Sequence, residues 1–384
     1  MGVSVFPIMW SYNIRHSHGY LGTGRIVGIL CCLQRDQRCA CCEHKNWQQK
    51  QKFHLKQVTF VSVPTIFELG EKESLKRALA PLKASEFAII GSGDDAAVMK
   101  APGGNYLVST DTMIENHDFR LDFSSAFDLG WKAIATNYSD IAAMGGIPTG
   151  AVVALSVRAE TEIAWLTEFV RGLQQASETL APGSGIVGGD LATSEQGFIS
   201  VTAFGDLSGL RPLVRSNAQP GDGLFVGGTL GKAAAGLALL QHPDPQYARS
   251  YDELVNIQLR PIPPIELGKL ANEHGATSMM DISDGLSTDA TRLAEASGVN
   301  INIESSSLLG FQAVLEQAAL SIEASTLPWV LHGGEDHSLL ATFPPDAQVP
   351  KGFKRIGSVL RGDAELTLDG ELTQPQGWDS VTGD

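Results

Sequence analysis

Beyond residue 64 the chain alternates between stretches whose apolar residues recur every three to four positions and short runs that are apolar throughout. The first kind predicts helices over 65–82, 125–144, 160–180, 231–241, 264–273, 286–297 and 310–320. Thr65 followed by Glu68 is a capping-box start, and Gly145-Gly146 with Pro148 beyond reads as a helix stop. The second kind predicts strands over 87–90, 106–109, 151–157, 186–187, 198–206, 224–226, 278–282, 299–303, 338–342, 355–359 and 365–368. Strands and helices mix without strict alternation, so the expected fold class is α/β with mixed sheets rather than a barrel. A polar, turn-rich stretch at 208–223 divides the body into domains 61–210 and 211–384. No apolar run reaches the ~18–20 residues of a membrane span, so no membrane partner is expected.

Composition changes this picture at one end of the chain. The 384 residues have a formal charge of -15, which argues against a nucleic-acid partner, because backbone phosphates call for clustered Lys and Arg. Residues 1–60 carry eight Lys or Arg against two acids, a charge of +6, which leaves -21 on the remainder. All five cysteines (Cys31, Cys32, Cys39, Cys41, Cys42) fall there too, without a clean C-x2-C pair of a zinc site. The apolar stretch at 26–33 is short and late for a targeting peptide. Residues 1–60 are therefore expected to be a basic extension, disordered or the product of a mis-assigned start. With no cysteine after residue 42, the body suits a reducing cytoplasm.

The chemistry resides in glycine-flanked acids. Gly231-Lys232 looks like a P-loop, yet the earlier Gly and the following Ser or Thr are absent. Gly91-Ser92-Gly93-Asp94-Asp95-Ala96 has dinucleotide-loop spacing, but its two carboxylates would repel a bare pyrophosphate. Asp111, Asp140, Asp190, Asp281, Asp284 and Glu335 repeat the theme beside strands and glycines. Gathering like charges in one site is costly unless divalent cations neutralise them, and Mg²⁺ bridges carboxylates to phosphates. Metal–phosphate chemistry follows from the residues themselves.

In their order, GSGDDAAV, STDTMIENHDF, NYSDIAAMGG, GGD, VRSNAQPGD, DISDGLSTD, GGED and QGWDS resemble the motifs of the thiamine-monophosphate kinase family. That family sits in the larger group of aminoimidazole-ribotide and selenophosphate synthetases, and the motifs span roughly residues 64–380. The resemblance implies a homodimer of two-domain α/β subunits that phosphorylates thiamine monophosphate with ATP. By motif, it implies Mg²⁺ ligands at Asp95, Asp111, Asp140, Asp190 and Asp281, help from Ser109 and Thr110, and a further ion at Asp284. It implies nucleotide contacts at Gly189, Asp190, Arg215 and Ser283, and acceptor contacts at Glu335 and Trp378. The chain departs from the family at 116–119: Asp118 stands where the family has His before Phe, and His117 comes one residue early. Either of the two is a candidate acceptor contact. A phosphate monoester is already largely ionised at neutral pH, so the reaction needs no general base. His332 and His337 flank GGED as candidate supporting residues. The rival readings are another ATP-dependent synthetase of the group, a non-catalytic Mg-nucleotide-binding protein, and a two-metal phosphohydrolase.

Overall fold

The computed structural model describes residues 63–90 and 98–378. The extension expected over 1–60 lies outside the described residues, as do Asp94 and Asp95. Helix α1 (Ile66–Ala78) begins on the predicted capping box: the Thr65 hydroxyl accepts from the Glu68 amide, and the Glu68 carboxylate accepts from the Thr65 amide. Strands β1 (Ala88–Ile90), β2 (Val98–Met99) and β3 (Leu107–Ile114) follow, then α2 (Ala126–Ala143), β4 (Ile147–Val157), α3 (Ile163–Leu180), β5 (Ile186–Thr193) and β6 (Phe198–Asp206). Four of these strands form a sheet in the order β3-β6-β4-β5, antiparallel except for β4 with β5. Along β3, Leu107 and Met113 are buried while Val108, Thr110 and Thr112 are exposed, so one face is covered and the other is not. Helices α2 and α3 cover the inner face. They approach through facing glycines: an added Cβ at Gly130 would lie 2.1 Å from the Phe169 carbonyl oxygen, and one at Gly172 2.1 Å from that of Phe127.

The second half contains β7 (Gly223–Gly227), α4 (Lys232–Gln241), α5 (Gln246–Ser250), α6 (Asp252–Leu259), α7 (Ile265–Glu273), β8 (Ser278–Ile282) and α8 (Leu286–Ser297). It continues with β9 (Asn300–Ile303), α9 (Ser305–Ala313), α10 (Glu316–Ser321), α11 (Thr326–His332), β10 (Ser338–Phe343), β11 (Phe353–Leu360), β12 (Leu366–Leu368) and β13 (Glu371–Leu372). The seven strands form a second sheet in the order β13-β12-β9-β11-β7-β10-β8, parallel only at β12–β9. On one face Val226, Met280, Ile282 and Leu340 join Leu239 of α4 and Leu293 of α8 in a core. On the other face Met279, Leu339, Ala341 and Phe343 enter the core of the first half. Helix α2 lies at that junction, touching β3, β4 and β6 on one side and β8, β10 and α7 on the other.

Among the described residues, no helix is long and apolar enough to cross a membrane. Three expectations needed correction. The predicted helix over 310–320 is two short helices, α9 and α10. The glycine-flanked Asp190 belongs to a longer strand, β5, which pairs with β4 from Gly188 to Thr193 beyond a register shift at Ala151–Val152. Helices α5, α6 and α11 form where no helix was predicted, since they are short and lean on neighbours rather than on an apolar stripe of their own.

Candidate active site

The buried middle of α2 carries a polar stripe. Lys132, Thr136, Ser139 and Asp140 recur at helical spacing in a helix where Leu129, Ala133, Ile134 and Tyr138 are buried. The stripe meets the second sheet where β8 ends and the loop before β10 begins. Ser139 Oγ donates to Asp281 Oδ2 at 2.9 Å. Lys132 Nζ donates to Glu335 Oε2 at 3.0 Å, and Gln258 Nε2 of α6 donates to the same oxygen. From β3, Ser109 Oγ donates to Asp140 Oδ2 at 2.5 Å. His337 is wedged between Thr136 Oγ1, 3.2 Å from its Nε2, and Asp281 Oδ2, 3.5 Å from its Nδ1.

Backbone packing fixes the loops that present these groups. An added Cβ at Gly334 would sit 2.2 Å from the Ser283 carbonyl oxygen, and one at Gly377 2.0 Å from that of Asp284. The loop after β8, the loop before β10 and the segment preceding Trp378 therefore stack backbone on backbone, a closeness only glycine permits. Glu335 and His337 hold positive φ angles of 65° and 50°, conformations that side-chain-bearing residues rarely adopt outside functional loops. The Trp378 amide donates to the Asp284 carbonyl at 3.1 Å.

These elements enclose one open cleft of about 730 Å³, lined by Asp111, Asp140, Asp281, Ser283, Asp284, His117, Asp118, Glu335 and Trp378, all predicted site residues. One end is acidic. Burial, reinforced by the charges of Asp281 and Asp111, pushes the Asp140 carboxyl up to about 7. Burial raises Asp111 as well; His337 works against that shift, and the charges of Asp281 and Asp284 add to it. Asp284 is paired with Arg292 at 2.5 Å, and Asp281 faces His337, but among the described residues Asp111 and Asp140 have no cationic partner within ion-pair distance. The described residues contain no trio of acids or imidazoles already drawn together around an ion. The donors lining this end are oxygens, the type a hard cation takes one or two at a time while phosphate and water complete its shell.

The other end differs in character. Burial works to raise Glu335, yet Lys132 and the Gln258 amide outweigh it, and the carboxyl is held below its ordinary value. The His117 ring stands edge-on to Trp378, 5.5 Å between centroids. Asp118 spends its carboxylate on the chain, accepting from the Ile114 amide at 2.8 Å and lying 2.9 Å from His117 Nδ1.

Several predicted site residues lie elsewhere. The Thr110 hydroxyl donates to the Val201 carbonyl, and Thr110 sits on the opposite face of β3 from Asp111. Asp190 pairs with Ala154, Ala154 with Ser200 and Ser200 with Thr112, so Asp190 also occupies the face opposite Asp111, three strands away. Gly189 is beside it, and both are exposed. Arg215 is exposed in the turn Arg215–Asn217 and does not line the cleft. The sequence reading missed Lys132, Gln258, Asp289 and Arg292. Lys132 alone left a signal, a charge at helical spacing from Thr136 and Asp140 inside an apolar helix. Asp289 is fully buried, accepting from the Asp284 amide and from Arg292, and burial with the charges of Asp281 and Asp284 lifts it to about 7.

A junction helix between two mixed sheets, with an acidic cleft along it, defines a two-part AIR-synthase-type α/β protein. The sequence matches the N-terminal domain of AIR synthase related proteins over residues 93–207 and their C-terminal domain over 219–349. It is 42% identical over 318 residues to the thiamine-monophosphate kinase of Mycobacterium tuberculosis (strain H37Rv), covering 83% of this chain and 93% of that one. It is 38% identical over 315 residues to the enzyme of the same name from Corynebacterium glutamicum, covering 80% of this chain and 91% of that one. The solved structure of AaThiL complexed with AMPPCP and TMP superposes with a TM-score of 0.66 at 32% identity, over 81% of this chain and 97% of that one. The chain belongs to the thiamine-monophosphate kinase family.

Proposed function

We propose that the chain transfers the γ-phosphoryl group of ATP to the phosphate of thiamine monophosphate, giving thiamine diphosphate and ADP. One observation carries the reading: a single cleft joins Asp111 and Asp140, which have no cationic partner among the described residues, to an end lined by Glu335, His117 and Trp378. Asp111, Asp140, Asp281 and Asp284, with Asp95 and an oxygen of Ser109, would hold Mg²⁺, which would neutralise charge between the two polyanions and on the group in flight. Ser109 orients Asp140, and Ser139 with His337 orients Asp281, so the acidic end is pre-set before substrates arrive. Ser283, which lines the cleft, contacts the nucleotide there, and Arg215 would meet only a part of it that extends beyond the cleft. The acceptor phosphate, already ionised, attacks in line without a protein base.

At the other end Glu335 receives the cationic organic part of the acceptor and Trp378 offers it a flat face. Between the two candidates at 117–118, His117 is the one that meets the acceptor, because it stands against Trp378 while Asp118 is occupied in holding it. The working form is a homodimer in the cytoplasm, built from domains 61–210 and 211–384. The exposed face of the first sheet supports pairing, since it presents Val108 at 62% and Phe198 at 37% exposure. Asp190 lies on that face, with the Gly189 backbone next to it in β5, and would reach the nucleotide of the second copy. Incubating the full chain with Mg-ATP and thiamine monophosphate tests the reading. Thiamine diphosphate and ADP are expected. Orthophosphate alone would make the chain a hydrolase, and nucleotide binding without turnover a binding protein.

A further inference from the structure

Lys132 is a buried cation that neither a packing role nor the metal chemistry explains. Its side chain is 6% exposed at the floor of the cleft, and among the described residues its only hydrogen-bond acceptor is Glu335 Oε2, 3.0 Å away. An apolar side chain of similar length would satisfy the packing of α2 without the cost of burying a charge. Gln258 donates to that same oxygen from a different helix, α6. Both donors thus converge on Oε2, and among the described residues Oε1 has no partner. The Glu335 side chain remains 36% exposed, on a backbone held at φ 65°. Two donors from two helices therefore fix one oxygen and leave the other open to the cleft.

Location gives that oxygen its task. Lys132 and Asp140 are eight residues apart on α2, about 12 Å along the axis. Transfer takes place at the acidic end, so the acceptor's phosphate lies there and its organic part extends toward Lys132. We propose that Lys132, assisted by Gln258, is a positioning residue for acceptor recognition. It clamps Oε2, so that Oε1 accepts a hydrogen bond from a donor on the acceptor's heterocyclic part. This rests on the kinase reading above and deepens it: Lys132 governs binding of the acceptor, not of ATP and not of the reacting phosphoryl group.

The test compares full-length wild type, Lys132→Met, Lys132→Arg, Glu335→Gln and the Lys132→Met/Glu335→Gln double variant, with KM for thiamine monophosphate, KM for ATP and kcat measured separately. Lys132→Met is expected to raise the acceptor KM about tenfold or more, the scale of a hydrogen bond to a charged group. The ATP KM should stay within about twofold, the signature of binding lost on one substrate alone. Lys132→Arg should recover most of the loss. The double variant should be no worse than Glu335→Gln, because the two residues act as one unit. Gln258→Leu, on another helix, should show the same split at a smaller size and serves if Lys132→Met does not fold. An unchanged acceptor KM in Lys132→Met, or in Gln258→Leu where it stands in, overturns the inference. So does a parallel rise of both KM values, or additivity in the double variant. Wild type that makes no thiamine diphosphate would instead overturn the kinase reading itself.

Discussion

Asp140 stabilises the fold less than an uncharged residue would, and the site needs it charged. In the folded chain it keeps its proton up to about pH 7, whereas its ordinary value is 3.8. Between those values the folded chain binds more protons than the unfolded one, so its contribution is complete below pH 3.8 and is lost as pH rises toward 7. Asparagine imitates the protonated acid. Asp140→Asn should therefore already melt above wild type at pH 5, by a margin that widens by several °C at pH 8. Its kcat should fall by orders of magnitude at both values. Mg²⁺ should raise the melting temperature of wild type at pH 8 and raise that of the variant less, since cation binding stabilises only the form that binds it. Thermal melts at the two pH values, with and without Mg²⁺, check all of this. A gap between the two proteins that narrows with rising pH would contradict the assignment of the raised carboxyl. Asp111, next to it but less strongly shifted, should respond in the same sense: Asp111→Asn should lose turnover by orders of magnitude while the fold persists.

At the scale of elements, the site is held by loops pressed together rather than by any one strand or helix. Gly334 has no room for a methyl group against the Ser283 carbonyl, whereas Gly310 in α9 faces open space. Gly334→Ala should push the Glu335 loop off the loop after β8, lowering kcat/KM at least about tenfold and costing ~1–3 kcal/mol, the usual penalty of overpacking. Gly310→Ala should leave activity intact and stability equal or slightly higher, by the helix preference of alanine over glycine. Steady-state kinetics beside urea unfolding of both variants distinguish the local effect from a general one. These elements also show what the sequence reveals and what it hides. The capping box at Thr65 and the runs that became β6, β8 and α8 were legible because their signals are local: a hydroxyl three residues before an acid, or an apolar stretch of fixed length. The acids at 111, 140, 281 and 284 were legible because several acids recur near strand ends in one ordered set of motifs, where any one of them alone would read as a solvated turn. Lys132 and Gln258 were not, because their meaning depends on which strand end α2 faces and on α6, a helix too short to announce itself. Sequence alone does not separate His117 from Asp118; the ring of Trp378 does, a contact made across 261 positions of the chain.

For the whole molecule, the decisive fact is the face on which Asp190 lies. The sheet β3-β6-β4-β5 separates it from Asp111, so one chain does not bring both into its own cleft. If Asp190 serves the nucleotide, it serves the nucleotide of a second copy, and the exposed face that bears it is then the seam of the dimer. In that arrangement each site takes its cleft from one subunit and Asp190 from the other. Asp111→Asn and Asp190→Asn should each be nearly inactive alone. When the two are mixed, unfolded and refolded together, half of the dimers formed at random are mixed pairs. Each mixed pair has one site with both mutations and one with neither. Activity should therefore return to about a quarter of that of the same amount of wild type, the ratio that two-fold symmetry dictates. Sedimentation of each variant should give the mass of two chains. No recovery on mixing, with both variants dimeric, would assign Asp190 to the fold or to its own subunit. An active Asp190→Asn variant would remove it from the site altogether.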